Sequence, residues 1–405
     1  MIILKNGLIL YGENDLVKRD ILIDNGKIVA IEENIEEANA TEFDINELWV
    51  IPGAIDVHAH LRDPGFSHKE TVLTGSKSAA KGGITTIMPM PNLSPVPDSV
   101  ENLQVELSAL KNSIIHAFPY ASVSIGEKGI DISDLENLAP YVKAFTDDGI
   151  GVNNLNLLEN ALDIARQTDK IIASHAEKAG YGTSPMAEYL AVETEIELLK
   201  HHPCKYHFCH MSTTESFELI RKAKTDGLDV TCEVTPHHLF LNNDGGISNG
   251  NFKMNPPLRS SVDMKATITA LLDGTATMVA TDHAPHTEKE KANFETAPNG
   301  IIGFETMLPL LYTKLVATDM ITKKKLIELT SKNPAQRFNL PYSQIEVGSV
   351  ADIACLDIFN PHKYAKFEIQ SKSSNSPFIG ETLLGFNKLT LVNGKVVFCD
   401  CDRLI

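Results

Sequence analysis

The sequence has no basic surplus, no CxxC motif and no long apolar run, and each absence closes off a class of function. Against 36 lysines and arginines stand 53 aspartates and glutamates, a net charge of −17. Such a surface repels phosphate backbones and anionic lipid, and no basic run or stacking-aromatic cluster offsets it. No nucleic acid and no membrane are therefore expected as partners. The six cysteines (Cys204, Cys209, Cys232, Cys355, Cys399 and Cys401) are scattered, which points to reduced thiols and a cytoplasmic protein. Cys399 and Cys401 stand one residue apart, but lone thiols near a C-terminus are more often inert than ligating. No run approaches the roughly 18 apolar residues of a membrane span. The opening MIILKNGLIL is short, is broken by Lys5-Asn6-Gly7 and lacks a cleavage motif, so it reads as a strand and turn, not a signal peptide. No internal repeat suggests a solenoid.

What is present is ample core material. In 405 residues, 43% hydrophobic, there is room for two or three domains of about 150 residues, or for one large barrel with an appendage. The two ends read alike. Before residue 50 come short strands such as DILID and KIVAI joined at Asn25-Gly26, and the chain closes with KLTLVNGKVVFCD, again with Asn-Gly between apolar runs. Asn-Gly between two such runs is a hairpin signal. One small β-sandwich domain built from both termini, residues 1–51 plus 343–405, is the expectation.

The middle, residues 52–342, alternates. Apolar runs occur at ELWVIPGAIDVHAH, GITTIMPMPN, IIHAFPYASVS, YVKAFTDDG, KIIASHAE, KYHFCHMST, DVTCEVTPHHL and ATMVATDHAPH, with helical spacers such as NNLNLLENALDIARQ and TESFELIRKAKTDG. Eight strands alternating with helices predict an α/β fold, a distorted (β/α)8 barrel. The C-terminal ends of these runs carry His58, His60, Asn92, Asp147, Asp148, His175, His210, His237, His238, Asp282 and His286. In a barrel those ends converge on one face, where catalytic groups lie. In a strand, His58 and His60 point to the same side. Imidazoles and carboxylates without thiolate around one mouth suit zinc, or manganese, iron or cobalt.

Each signal has a plainer rival. A single strand histidine is more often a hydrogen-bonded core residue, and His116, His207 and His362 take that reading; His201 and His202, beside Pro203, read as solvated helix caps. Asp147-Asp148-Gly149 alone would be a turn.

With those residues in view, the chain resembles the dihydroorotases of the amidohydrolase superfamily, in their bacterial long-chain form. The matching pieces are DVHAHLRDPGFSHKE, MPMPN, KAFTDDG, SHAE, CHMST, VTPHHL, FKMNPPLR and ATDHAPHTEKEK, with the more generic GSVADI and LVNGKVV at the end. The resemblance implies reversible cyclisation of N-carbamoyl-L-aspartate to L-dihydroorotate in pyrimidine synthesis. It implies two Zn2+ ions per subunit, other divalent metals being acceptable. His58, His60 and Asp282 would bind the first metal and His175 and His210 the second, with Asp148 between them. Asp147 and a carboxylated Lys143 are the alternative bridges. Asp282 would also be the catalytic proton carrier, and Arg62, Asn92, Asn255, His286 and the backbone at Asn299-Gly300 would contact a small anionic substrate. Asn299 is a departure, because the family more often has Phe-Gly there, and the segment between SHAE and CHMST is shorter than in many relatives. A homodimer and a pyrimidine-pathway enzyme partner remain open, as does whether the chain is instead a hydantoinase, an allantoinase or a non-catalytic dihydroorotase-like scaffold.

Overall fold

The computed structural model describes residues 1–400; Cys401 of the C-terminal cysteine pair lies outside the described residues. The chain opens with β1 (Ile2–Tyr11), β2 (Asp15–Asp24), β3 (Lys27–Glu32), β4 (Thr41–Asp44) and β5 (Leu48–Pro52). At Asn25-Gly26 both turn residues have positive φ, 48° and 81°, the geometry a tight hairpin needs. The expected turn at Lys5-Asn6-Gly7 is absent. β1 runs straight through it as one ten-residue strand, and the register against β2 shifts between Leu4 and Gly7, with Asn6 at φ 65°. An extra residue in a ladder makes a bulge, which absorbs the Asn-Gly pair without reversing the chain.

The next eight strands are those of the alternating middle: β6 (Ala54–Ala59), β7 (Ile84–Pro89), β8 (His116–Ala117), β9 (Ala144–Phe145), β10 (Ile171–Ser174), β11 (Lys205–Phe208), β12 (Val230–Val234) and β13 (Met278–Val279). They pair in parallel as β6-β7-β8 and β9-β10-β11-β12-β13. Parallel bridges Ala121–Phe145 and Ala59–His283 join the two groups and close the barrel. The spacers Leu155–Gln167 and Thr214–Thr225 are helices. Every residue of β6 and β7 is buried, as strands covered on both faces must be. Ile55, Val57, Met88, Tyr120, Ala144 and Met278 fill the inside, with Phe338 packed against them.

The run ELWVIPGAIDVHAH is not one strand. It divides at Gly53 into β5, in the small sheet, and β6, in the barrel. A Cβ at Gly53 would lie 2.2 Å from the side chain of Thr85, so the changeover needs a glycine.

The chain then returns through β14 (Ile353–Asp357), the short pair β15 (His362–Lys363) and β16 (Thr382–Leu383), and the hairpin β17 (Phe386–Val392) and β18 (Lys395–Cys399). Among the described residues the small sheet has eight strands from both ends of the chain, in the order β18-β17-β14-β5-β1-β2-β3, with β4 beside β1. Leu4, Ile21, Ile23, Phe43, Val50, Ile353 and Leu391 of this sheet form a buried apolar cluster of their own. No helix among the described residues is long and apolar enough to cross a membrane.

Candidate metal centre

The barrel brings the strand-end groups together. His58 lies in β6, and His60 and Arg62 just beyond it. Asp148 follows β9, His175 follows β10, His210 follows β11 and Asp282 follows β13. Arg62, His210 and Asp282 all have left-handed backbone, with φ of 60°, 37° and 47°. Non-glycine residues in that region are uncommon, at a cost of order 1–3 kcal/mol each, and such strain collects at functional sites.

Asp148 is the centre of the cluster. Its Oδ1 lies 3.4 Å from His58 Nε2, 3.6 Å from His175 Nδ1 and 3.7 Å from His210 Nε2, and its Oδ2 lies 3.4 Å from His60 Nε2. Asp282 Oδ1 is 3.1 Å from His60 Nε2 and 3.6 Å from His58 Nε2. Burial works against the charge on both carboxylates. The surrounding imidazoles, His58 foremost for Asp148 and His60 for Asp282, outweigh it and hold both well below the usual carboxylate range. The other two carriers considered for the centre are elsewhere. Asp147 turns away and accepts from the backbone N–H groups of Val123 and Ser124 at 2.8 and 3.0 Å. Lys143 lies at the opposite end of its strand, where Nζ donates to the Asn339 carbonyl at 2.9 Å and sits 5.7 Å from the Phe118 ring centre.

The donor set fits divalent metal. His58 Nε2 and Asp148 Oδ1 are buried with no hydrogen-bond partner, a state that polar atoms in a protein interior seldom keep. Two groups, His58 with Asp148 and His210, and His58 with His60 and Asp282, each have one donor atom per residue within 4.8 Å of the others. Neighbouring carboxylates aim the ring nitrogens. Glu233 accepts from His58 Nδ1 at 2.7 Å, which leaves Nε2 with its lone pair toward Asp148. Its other oxygen takes His207 Nε2 at 3.1 Å. Burial alone would raise Glu233, but His58 and His207 bring it to about 2. Glu177 does the same for His175, at 2.8 Å from Nε2. Orienting partners of this kind fix the tautomer of a ligating histidine.

Sequence reasoning missed both carboxylates. Glu233 had a signal, an acid between Cys232 and Val234 near the end of the strand run VTCEV. Glu177 stood in the quoted SHAE without a role. His207 is the hydrogen-bonded core residue expected. His116 and His362 are only half-buried, bonded to Asp352 and Glu368 at 3.1 and 2.7 Å, and His202 is half-buried against Asp163, not a free cap. His237, next to the cluster, is buried with Nε2 unpartnered, while His238 is tied to Thr235 and the Pro256 carbonyl.

A cavity of about 200 Å³ opens over the cluster, lined by His60, Asp148, His175, His210 and Asp282 on one side and by Arg62, Asn92, Asn255, Asn299 and Gly300 on the other. Burial lowers the Arg62 guanidinium, Asp282 and Asp148 oppose this, and its buried Nε has no partner. His286 Nε2 donates to the Asn299 carbonyl at 2.7 Å, so Nδ1 carries the lone pair that accepts from Lys69 Nζ at 3.1 Å. Burial, with Arg62 and Lys69 nearby, brings His286 to about 3 and keeps it neutral. Asn255 donates to Glu177 at 2.7 Å, and Asn92 to the Asp148 carbonyl at 2.8 Å and Glu127 at 3.1 Å. A buried cation beside directional amides and a carboxylate-rimmed cluster can seat a small anion against polarising metal.

Comparison with known proteins agrees with this geometry. The sequence profile of the amidohydrolase family matches residues 49–397. The chain is 42% identical to a dihydroorotase of Fusobacterium nucleatum subsp. nucleatum, over 99% of each chain. It is 42% identical to one of Listeria monocytogenes over 98% of this chain and 99% of that one, and 41% to one of Bacillus cytotoxicus over 97% of each. Solved structures that share the fold include the L-hydantoinase of Arthrobacter aurescens (TM-score 0.86, 24% identity, covering 100% of this chain and 97% of that one). A D-hydantoinase from a Thermus species is similar, with TM-score 0.87, 24% identity and coverage of 100% and 96%. This chain belongs to the amidohydrolase family, among its dihydroorotases.

Proposed function

We propose that this chain interconverts N-carbamoyl-L-aspartate and L-dihydroorotate, with His58, His60, Asp148, His175, His210 and Asp282 holding two divalent ions, zinc first among them. One observation carries the reading: a single carboxylate, Asp148, stands among four imidazoles beside the buried cation of Arg62. When bound, two such ions supply Lewis acidity to the amide carbonyl and acidity to the attacking water. The chain's own groups do the rest. Asp282, ionised and on the cavity wall, accepts the proton of that water and delivers it to the leaving ring nitrogen; in synthesis it runs the transfer backwards. The Arg62 fork takes the substrate carboxylate, Asn92 and Asn255 add directional hydrogen bonds, neutral His286 turns its Nε2–H from the Asn299 carbonyl to the substrate, and the backbone of Asn299-Gly300 closes the pocket. Holding the substrate by its carboxylate places the amide over Asp148 and Asp282 before reaction.

The same reading divides the chain into a catalytic barrel, residues 52–342, and a β-domain, residues 1–51 with 343–405, and places it in the cytoplasm. The test is hydrolysis of L-dihydroorotate by zinc-loaded protein, with hydantoin and allantoin alongside. Turnover of dihydroorotate alone is expected. Turnover of hydantoin or allantoin in its place would replace the substrate.

A further inference from the structure

Residues 371–376, SKSSNS, belong to the C-terminal part of the chain, yet lie across the barrel mouth. Ser371, Ser373, Asn375 and Ser376 are buried and only Lys372 is exposed, so most of a polar stretch faces inward. Burying polar side chains is unfavourable unless each finds partners. These do. Asn375 Oδ1 accepts from the His286 N–H at 3.1 Å, and its Nδ2 donates to the carbonyls of Ala284 and Gly300 at 3.1 and 3.0 Å. Its own carbonyl accepts from the Ile302 N–H at 3.1 Å. The Ser373 hydroxyl donates to the Lys69 carbonyl at 2.7 Å, and the Ser371 hydroxyl to the Glu70 carboxylate. Lys69 in turn donates to His286. The two loops held here touch: a Cβ on Gly300 would lie 2.5 Å from the Ala284 Cβ and 3.3 Å from His286 Cδ2.

We infer that Asn375 is a positioning residue for substrate binding: it locks the His286 and Gly300 loops in the spacing that receives the substrate carboxylate, and touches no metal-binding group itself. The inference rests on the substrate reading above. Its amide is fully used, on loops from two different stretches of the barrel, and nothing in the fold of the small sheet requires it. A group that acts only on the binding half of the site should change KM and leave the chemical step alone.

The experiment compares wild type with Asn375→Asp, which keeps the acceptor for His286 but turns an oxygen toward two carbonyls. Expected are a KM for L-dihydroorotate raised about tenfold or more, kcat within about threefold, unchanged bound zinc and faster amide exchange across residues 284–302. Unchanged KM with faster exchange would overturn the inference, as would unchanged exchange or a joint loss of zinc and kcat. If that variant fails to fold, Ser373→Ala removes only the bond to Lys69 and should still raise KM about threefold; no rise would count against the strap. Asn360→Ala, an exposed residue bonded to Asp357, is the control. A wild type inactive on dihydroorotate would overturn the substrate reading instead, and the exchange comparison would then decide whether Asn375 holds the loops.

Discussion

The two halves of the site are built differently. The proposed metal half sits directly on strand ends, its imidazoles aimed by Glu233 inside β12 and by Glu177, two residues beyond His175. The carboxylate half sits on loops, held in place by contacts to Asn375 and Lys291 from elsewhere in the chain. Lys291 Nζ donates to the carbonyls of Lys253, Pro298 and Gly300 at 3.0, 2.8 and 2.9 Å. The difference teaches where rigidity comes from. On the proposed reading, the ligands that must not move are fixed by the sheet, and the groups that meet a changing substrate are fixed by side-chain bonds to loop backbone.

If that contrast is right, changes in the metal half should strike kcat and metal content, and changes in the loop half should strike KM. The largest effect belongs to Asp282→Asn, which should lower kcat on the order of a thousandfold, read by steady-state hydrolysis, because the amide cannot carry the proton. Next, Glu233→Gln should weaken zinc binding by roughly 10–100-fold in a chelator competition, since His58 loses the charge that orients it. Arg62→Lys should raise KM about tenfold and alter kcat little, because a point charge cannot fork onto a carboxylate. A fall in kcat without a rise in KM would break the division between halves.

The smallest effect is a pH dependence in the loop half. Burial, with Lys253 nearby, pushes Lys291 from 10.5 down to about 8. The folded chain therefore releases this proton before the unfolded chain does. Between about pH 8 and 10.5 the unfolded state binds more protons, so this group makes the fold more stable as pH rises. Urea unfolding at pH 8 and pH 10 should show wild type gaining on Lys291→Met over that window.

The same contrast explains what could be read from the sequence. Eight apolar runs, six of them ending at a histidine or aspartate, announced both barrel and cluster, because a strand and the residues just after it are adjacent in sequence. The division of ELWVIPGAIDVHAH was hidden because it depends on Thr85 crowding Gly53 from another strand. The bulge in β1 was hidden because Asn-Gly signals a turn unless a partner strand holds the chain extended. Glu233 and Asn375 were hidden for a related reason: their partners lie 175 and 89 residues away, at His58 and His286. A polar stretch such as SKSSNS looks like a surface loop until the mouth it covers is known.

The most direct test of the central claim is the zinc content of the purified chain, measured by plasma emission for wild type, Asp148→Ala and Lys143→Ala. The account predicts two ions in wild type and in Lys143→Ala, and loss of at least one in Asp148→Ala. Full zinc in Asp148→Ala, or its loss in Lys143→Ala, would contradict it.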